Sequence, residues 1–388
     1  PWLDFLKIRF SYGQVGNDRI SNKRFPYLTI INSNAATGWG SDSNGVNESI
    51  VGADNLAWEK STKADVGIEA KFFKEKLSLV VDYFNDQRNG IFQQRTQVPD
   101  FAGIITMPYG NVGKMRSYGA DGNISYSQDI GKDFSFTIRG NFTYSKNDVQ
   151  NWEQADPKYP YQQISGMPYG VQRGYIALGL FRDDQDVESS PSQFGTVRPG
   201  DIKYVDMNGD GFITDADEGY IGGTVDPRIV YGFGGNINYK NWDLNFFFQG
   251  TGDTYRVIGN TTYFIPGSGQ TLQGNVYSNY NDRWTEENSS QDVFWPRLSE
   301  EPNRQNYRSS TWWKKNMRFL RLKTLELGYT LPKMITEKIH SKSVRFYVSG
   351  NNLFCFSPFK LWDPELDTDT GLRYPAMRSV MFGVDLNF

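Results

Sequence analysis

Residues 134–145 alternate without a break between two kinds of side chain. Phe134, Phe136, Ile138, Gly140, Phe142 and Tyr144 take one set of positions; Ser135, Thr137, Arg139, Asn141, Thr143 and Ser145 take the other. Successive side chains of a strand point to opposite faces, so a period of two dictates a strand with one apolar and one polar face. From Phe134 to Tyr144, at about 3.3 Å per residue and a tilt near 45°, such a strand rises roughly 25 Å, the height of the apolar band of a membrane β-barrel.

The alternation recurs along the chain. Leu6, Ile8, Phe10 and Tyr12 carry it first, then Ala64 to Phe72, Leu77 to Tyr83 and Tyr118 to Tyr126. Tyr231 to Tyr239 and Trp242 to Phe248 follow, separated only by Lys240 and Asn241. Leu320 and Leu322 lead to Leu325, Leu327 and Tyr329 with a slip of phase, which predicts a β-bulge. Val344 to Val348 and Val380 to Phe388 complete ten spanning strands. The connections alternate strictly in length. Long ones cover 14–60, 86–114, 147–228, 251–316 and 354–376; short ones lie near 73–76, 128–132, 240–241 and 332–342. Short periplasmic turns and long external loops are the arrangement of outer-membrane barrels. Phe72, Tyr126, Phe134, Tyr239, Trp242 and Phe388 gather beside the short turns, as an interfacial girdle would. The expectation is therefore an all-β, antiparallel transmembrane β-barrel. The competing fold is a secreted or surface β-protein that binds glycans without transport, with its apolar faces packed between two sheets.

Composition narrows the chemistry. No run approaches the roughly 20 apolar residues of a spanning helix, and the negative mean hydropathy suits barrel strands that are apolar at every second position. A net charge of −3 excludes a basic nucleic-acid binder. A single cysteine, Cys355, excludes an internal disulfide and a cysteine zinc site; a single histidine, His340, leaves little room for His-based catalysis. The chain begins at Pro1-Trp2 with neither an initiator Met nor a signal peptide, which reads as a piece of a longer protein.

Several segments carry a resemblance. Residues 2–17, from Trp2 to Asn17, and Asp206 to Ile213 with Gly222 and Asp226 to Gly232 are similar to SusC/RagA-type TonB-linked outer-membrane proteins. So are Leu320 to Pro332, Ser349 to Phe354 and the terminal aromatic Phe388. The resemblance implies a barrel of about 22 strands, of which residues 1–388 would be the C-terminal ten or so, with the plug domain and N-terminal strands absent. It further implies a transporter without enzymatic activity in a Gram-negative outer membrane, energised by the TonB complex. Its cargo would be an oligosaccharide or peptide, taken up with a SusD-like surface lipoprotein as lid. Phe388 would mark the last strand for membrane assembly. A passive porin is the alternative within the barrel class.

Within the external loop 183–226, Asp206, Asn208, Asp210, Gly211, Phe212 and Asp217 occupy positions 1, 3, 5, 6, 7 and 12 of an EF-hand-like loop. Oxygens on alternate positions can surround Ca2+, with the Phe212 carbonyl as backbone ligand and Gly211 at the sharp turn. An Asp/Gly-rich turn closed by its own hydrogen bonds is the other reading. Aromatic residues crowd the long loops, among them Trp39, Trp152, Trp284 and Trp362. Trp295, Trp312 and Trp313 are the candidates for stacking on substrate; loop packing is the alternative. Acidic runs at 183–186 and Glu300-Glu301 read as solvated loop residues rather than a glycosidase pair. The mixed-sign polar row with Lys63, Asp65, Glu69, Arg139 and Asn236 would line the lumen and favour a neutral or zwitterionic cargo.

Overall fold

The computed structural model describes residues 2–18, 25–36, 44–53, 55–98, 106–259, 277–299 and 303–388. Ten strands form one antiparallel sheet: β1 (Leu3–Asn17), β2 (Glu59–Phe72), β3 (Leu77–Gln94), β4 (Tyr109–Ile130), β5 (Phe134–Asn151), β6 (Ile229–Tyr239), β7 (Trp242–Gly252), β8 (Phe319–Thr330), β9 (Ser343–Phe356) and β10 (Ser379–Asn387). Each strand pairs with the next in sequence. All ten expected strands are present. Among the described residues, β1 and β10 are each hydrogen-bonded on one side only.

Register follows from the pleat. Ile237 lies opposite Phe136 on one side and Leu244 on the other, and Phe233 stacks on Phe248 at 5.0 Å. A one-residue slip would carry the whole apolar row to the polar face. That row points outward and is uncovered: Leu6, Ile8, Phe10 and Tyr12 are exposed, and Phe382 reaches 83%. An apolar surface this long is stable only against lipid or a partner. Beside the short turns, Trp2 stacks on Phe72 at 5.7 Å, and Trp242 meets Tyr329 at 4.7 Å. These rings form the expected girdle. The bulge falls at Lys323, because Phe247 faces Thr324 while Phe248 faces Leu322.

The polar face carries cross-strand ion pairs. Arg9 reaches across β2 to Asp82 at 2.7 Å, and Gly67 clears the way, since any Cβ there would overlap the Asp82 carboxylate. Arg345 similarly gathers Asp243 at 2.5 Å, Glu326 at 2.6 Å and Asp385 at 3.3 Å. A Cβ at Gly328 would sit 2.5 Å from both Arg345 and Asp243. Two glycines thus hold open the space for two cross-strand ion clusters.

The strands run higher than the alternation predicts. β3 continues from Tyr83 to Gln94, β4 starts at Tyr109, and β5 runs to Asn151, so segments of the expected loops 86–114 and 147–228 are strand. Above an apolar band the outward face needs no apolar residue, while the hydrogen-bond ladder continues regardless. Among the described residues, helices are confined to short pieces such as Asp184–Glu188 and Lys333–Thr336. None of the described helices is long and apolar enough to cross a membrane. The buried apolar core lies not between sheets but among the long loops. This excludes the two-sheet sandwich.

Candidate functional site in the loop layer

The loops after β5, β7 and β9 fold together at the long-loop end. Short antiparallel pairs organise them: 177–180 with 202–204, 171–174 with 219–224, and 255–257 with 314–316. Tyr175, Ile202, Tyr204, Trp284, Trp295, Trp313 and Phe359 form one apolar cluster drawn from all three loops. A polar centre locks it. Asp201, fully buried, accepts from Arg297 at 3.0 Å, Asn303 at 3.0 Å, Asn306 at 2.9 Å and the Arg198 amide at 2.9 Å. Asn306 in turn accepts from the Ile202 amide, and its carbonyl accepts from the Trp313 indole at 2.7 Å. Gln305 donates to Gln193 at 2.7 Å and to the Ile202 carbonyl at 2.6 Å. A buried acceptor with four donors ties these loops into one arrangement.

This packing corrects the stacking expectation for two of the three tryptophans. Trp295 and Trp313 are 3% and 1% exposed, with rings 5.8 Å apart inside the cluster. Trp295 also stacks on Tyr277 at 5.6 Å and donates to Asn279 at 3.2 Å. Their faces are covered by protein, and Trp284 is buried as well. Trp312 is half-buried against the cluster edge. Trp152 packs on Tyr169 and Trp362 on Phe359. Trp39, Glu300 and Glu301 lie outside the described residues.

Residues 206–217 form a tight turn closed by their own hydrogen bonds. Asp206 accepts from the amides of Gly209 and Gly211, each at 2.7 Å. Burial would raise its carboxyl, but these amides outweigh it and hold the group below the ordinary carboxylate range. Asn208 accepts from Asp210 and Asp210 from Phe212, while Gly211 takes φ +86°, as a sharp turn requires. Asp217 departs from the expected ligand set. It is buried, and its two oxygens accept from the amides of Met207, Asn208 and Thr214. Among the described residues, no three His, Cys, Asp or Glu side chains converge as a metal set. Asp206, Asn208, Asp210 and the Phe212 carbonyl are what remains of the expected ligand set, and Asp217 is a structural staple. In the neighbouring acidic run, Asp183 caps the helix 184–188 and Asp186 pairs with Lys203 at 2.8 Å. The Lys203 hydrogen bond holds the Asp186 carboxyl low against the opposing effect of burial.

Beside the cluster lies a cavity of about 500 Å³, bounded by residues 278–282, 314–316 and 358–361 together with Phe294. Lys315 opens into it, and desolvation pushes its ammonium down to about 8, with Asp282 partly opposing the shift. Sequence reasoning missed this lysine, although Lys314-Lys315 directly follows the Trp312-Trp313 pair.

The model of the TonB-dependent receptor-like β-barrel family matches residues 1–353. The chain belongs to that family. It is 29% identical to TonB-dependent receptor P3 of Formosa agariphila over 98% of its own length and 39% of the relative's. SusC of Bacteroides thetaiotaomicron is 23% identical, with 100% of this chain and 38% of that protein covered. Among solved structures, the RagAB peptide transporter superposes with a TM-score of 0.73 at 26% identity, covering 100% of this chain and 41% of that chain. The chain therefore spans about two fifths of the length of these relatives. The resemblance to SusC/RagA-type proteins holds, and the family is one of transporters and receptors rather than enzymes.

Proposed function

We propose that this chain forms the mouth and a portion of the wall of an outer-membrane importer, driven through TonB, that takes up an oligosaccharide or a peptide. The observation that carries this reading is a lipid-type barrel wall topped by a rigidly packed loop layer, in a chain similar to SusC and RagA along its whole length. The RagAB relative is a peptide transporter, which favours a peptide cargo. A SusD-like lipoprotein covering the loop layer belongs to the same proposal. The ion-paired polar face suits a hydrated path.

Deleting the full-length gene and growing cells on single oligosaccharides, peptides or their monomers tests the reading. Loss of growth on the oligomer, with growth on its monomer kept, is the expected result. Uptake that persists without a proton gradient would instead favour a passive porin.

Calcium is a second proposal. Asp206, Asn208, Asp210 and the Phe212 carbonyl would ligate the ion, which would relieve the repulsion between neighbouring carboxylates. Asp206→Asn combined with Asp210→Asn is expected to abolish calcium-dependent protection of the 183–226 loop from protease. Asp217→Ala is expected to loosen the loop with or without calcium, by about 2–3 kcal/mol, because three amides lose their acceptor. Equal proteolysis of the parent protein in calcium and in chelator would end the calcium proposal and leave the role of Asp217 intact.

Phe388 ends the exposed row Val380, Phe382, Val384 and Leu386, and its carbonyl accepts from Lys342 at 2.7 Å. Burying its ring in lipid is worth about 2 kcal/mol. Removing Phe388 from the full-length protein is expected to lower the assembled amount in the membrane several-fold without changing uptake per assembled molecule. Quantitative blotting of membrane fractions checks this.

A further inference from the structure

Lys315 lies in the short strand 314–316, whose partner is 255–257. Its neighbour Lys314 turns away and donates to the Ile221 carbonyl at 2.5 Å. The Lys315 ammonium instead faces rings: it sits 4.5 Å from the Phe294 centroid, 5.9 Å from Trp313 and 6.0 Å from Trp312. Among the described residues its Nζ makes no hydrogen bond and no ion pair. A half-buried cation beside aromatic faces, with no hydrogen-bonded anion, is costly unless a ligand supplies one. The cavity it enters has the size of an ordinary small-molecule site. Besides Lys315, its charged groups are Lys360 and the lone Asp282, so the lining is net positive. Arg256, across the strand pair, is engaged by Asp367. Phe294, Phe359 and Leu361 add apolar wall, while Asn279 and Asn316 add amide groups.

We propose that this cavity binds a ligand carboxylate flanked by an apolar group, with Lys315 as the anchoring cation. The proposal rests on the import reading only for where such a ligand comes from. A peptide C-terminus and a uronic acid both present a carboxylate, and the apolar wall favours the peptide. Binding draws on the protonated amine and the ionised carboxylate, so affinity is level from about pH 5 to about pH 8 and falls above it. A bound carboxylate raises the amine again, so binding near pH 8 takes up protons.

The test is calorimetric titration of the full-length protein in detergent. The probes are Ala-Ala-Leu as free acid, the same peptide as C-terminal amide, and a uronic-acid disaccharide. The free acid is expected to bind at least about tenfold more tightly than the amide. Lys315→Met is expected to abolish that difference and Lys315→Arg to retain it. Methionine keeps the unbranched stem and removes a desolvated charge, so the variant folds; protection of the Lys315 amine from trinitrobenzenesulfonate by the peptide gives an independent readout in the unaltered protein. Tighter binding of the uronate with the same dependence on Lys315 would keep the carboxylate site and change the source of its ligand. Equal affinity for acid and amide, or an unchanged affinity in Lys315→Met, would overturn it. The titration uses no energised membrane, so failure of TonB-driven uptake leaves its result untouched.

Discussion

Asp201→Ala is expected to release the loop layer while leaving the barrel wall folded. The substitution removes the acceptor of three side chains and one amide at a fully buried position and strands the Arg297 guanidinium opposite it. Breaking a buried ion pair from one side costs about 3–5 kcal/mol, since the remaining charge has lost both water and partner. Two loops depend on this centre: Ile202 follows Asp201 in one, and Asn303, Asn306 and Arg297 belong to the other. Limited proteolysis should therefore open cuts in both 152–228 and 277–318, while the heat resistance of the barrel in detergent stays near the parent value. Asp201→Asn keeps the shape and some acceptors, so its effect should be intermediate. Loop protection in Asp201→Ala equal to the parent's would show that the apolar cluster holds the layer by itself.

The second large effect is expected in the wall. Gly119 lies opposite Phe84 on β3 and Ser145 on β5, where the strands approach closely. A Cβ there would overlap the Tyr144 carbonyl oxygen and come 2.8 Å from the Phe84 ring and 3.0 Å from the Ser145 Cα. Backbone on the neighbouring strand cannot rotate away, so Gly119→Val must force apart the hydrogen-bond ladders on both sides of β4. Overpacking of this kind costs about 3 kcal/mol or more. The expected result is a several-fold fall in assembled protein, measured as the heat-modifiable band in membrane fractions. Gly140→Ala is the matched control, because its nearest neighbour, the Ile124 side chain, would stand 3.4 Å away in ordinary contact. Equal loss in both variants would assign the effect to glycine content rather than to the close approach.

The wall was legible in the sequence because lipid imposes a rule that each strand must satisfy alone. Phe134 to Tyr144 shows its apolar face without knowledge of any neighbour, and the phase slip at Leu322 and Leu325 located the bulge. Where the rule lapses, legibility lapses too. Residues 84–94 continue β3 through Asn85, Asp86, Gln87 and Arg88, whose composition reads as loop. The loop layer was illegible for a different reason. Whether Trp295 or Trp313 faces cargo or core depends on three segments far apart in sequence meeting at one place. Asp217 was assigned by its spacing to an ion, yet the same spacing puts a carboxylate beneath three amides. Lys315 carries no motif at all, and its character arises from rings and a cavity supplied by other loops.

The unequal strand lengths give the rim a slope. β6 ends opposite Tyr144, whereas β5 runs on to Asn151 and pairs there with β4, so the two bases are level and the two tops are not. Seven further residues at about 3.3 Å each lift that side by roughly 20 Å along the strand. The loop 152–228 bridges that step, leaving β5 at its high end and rejoining the wall at the low end of β6.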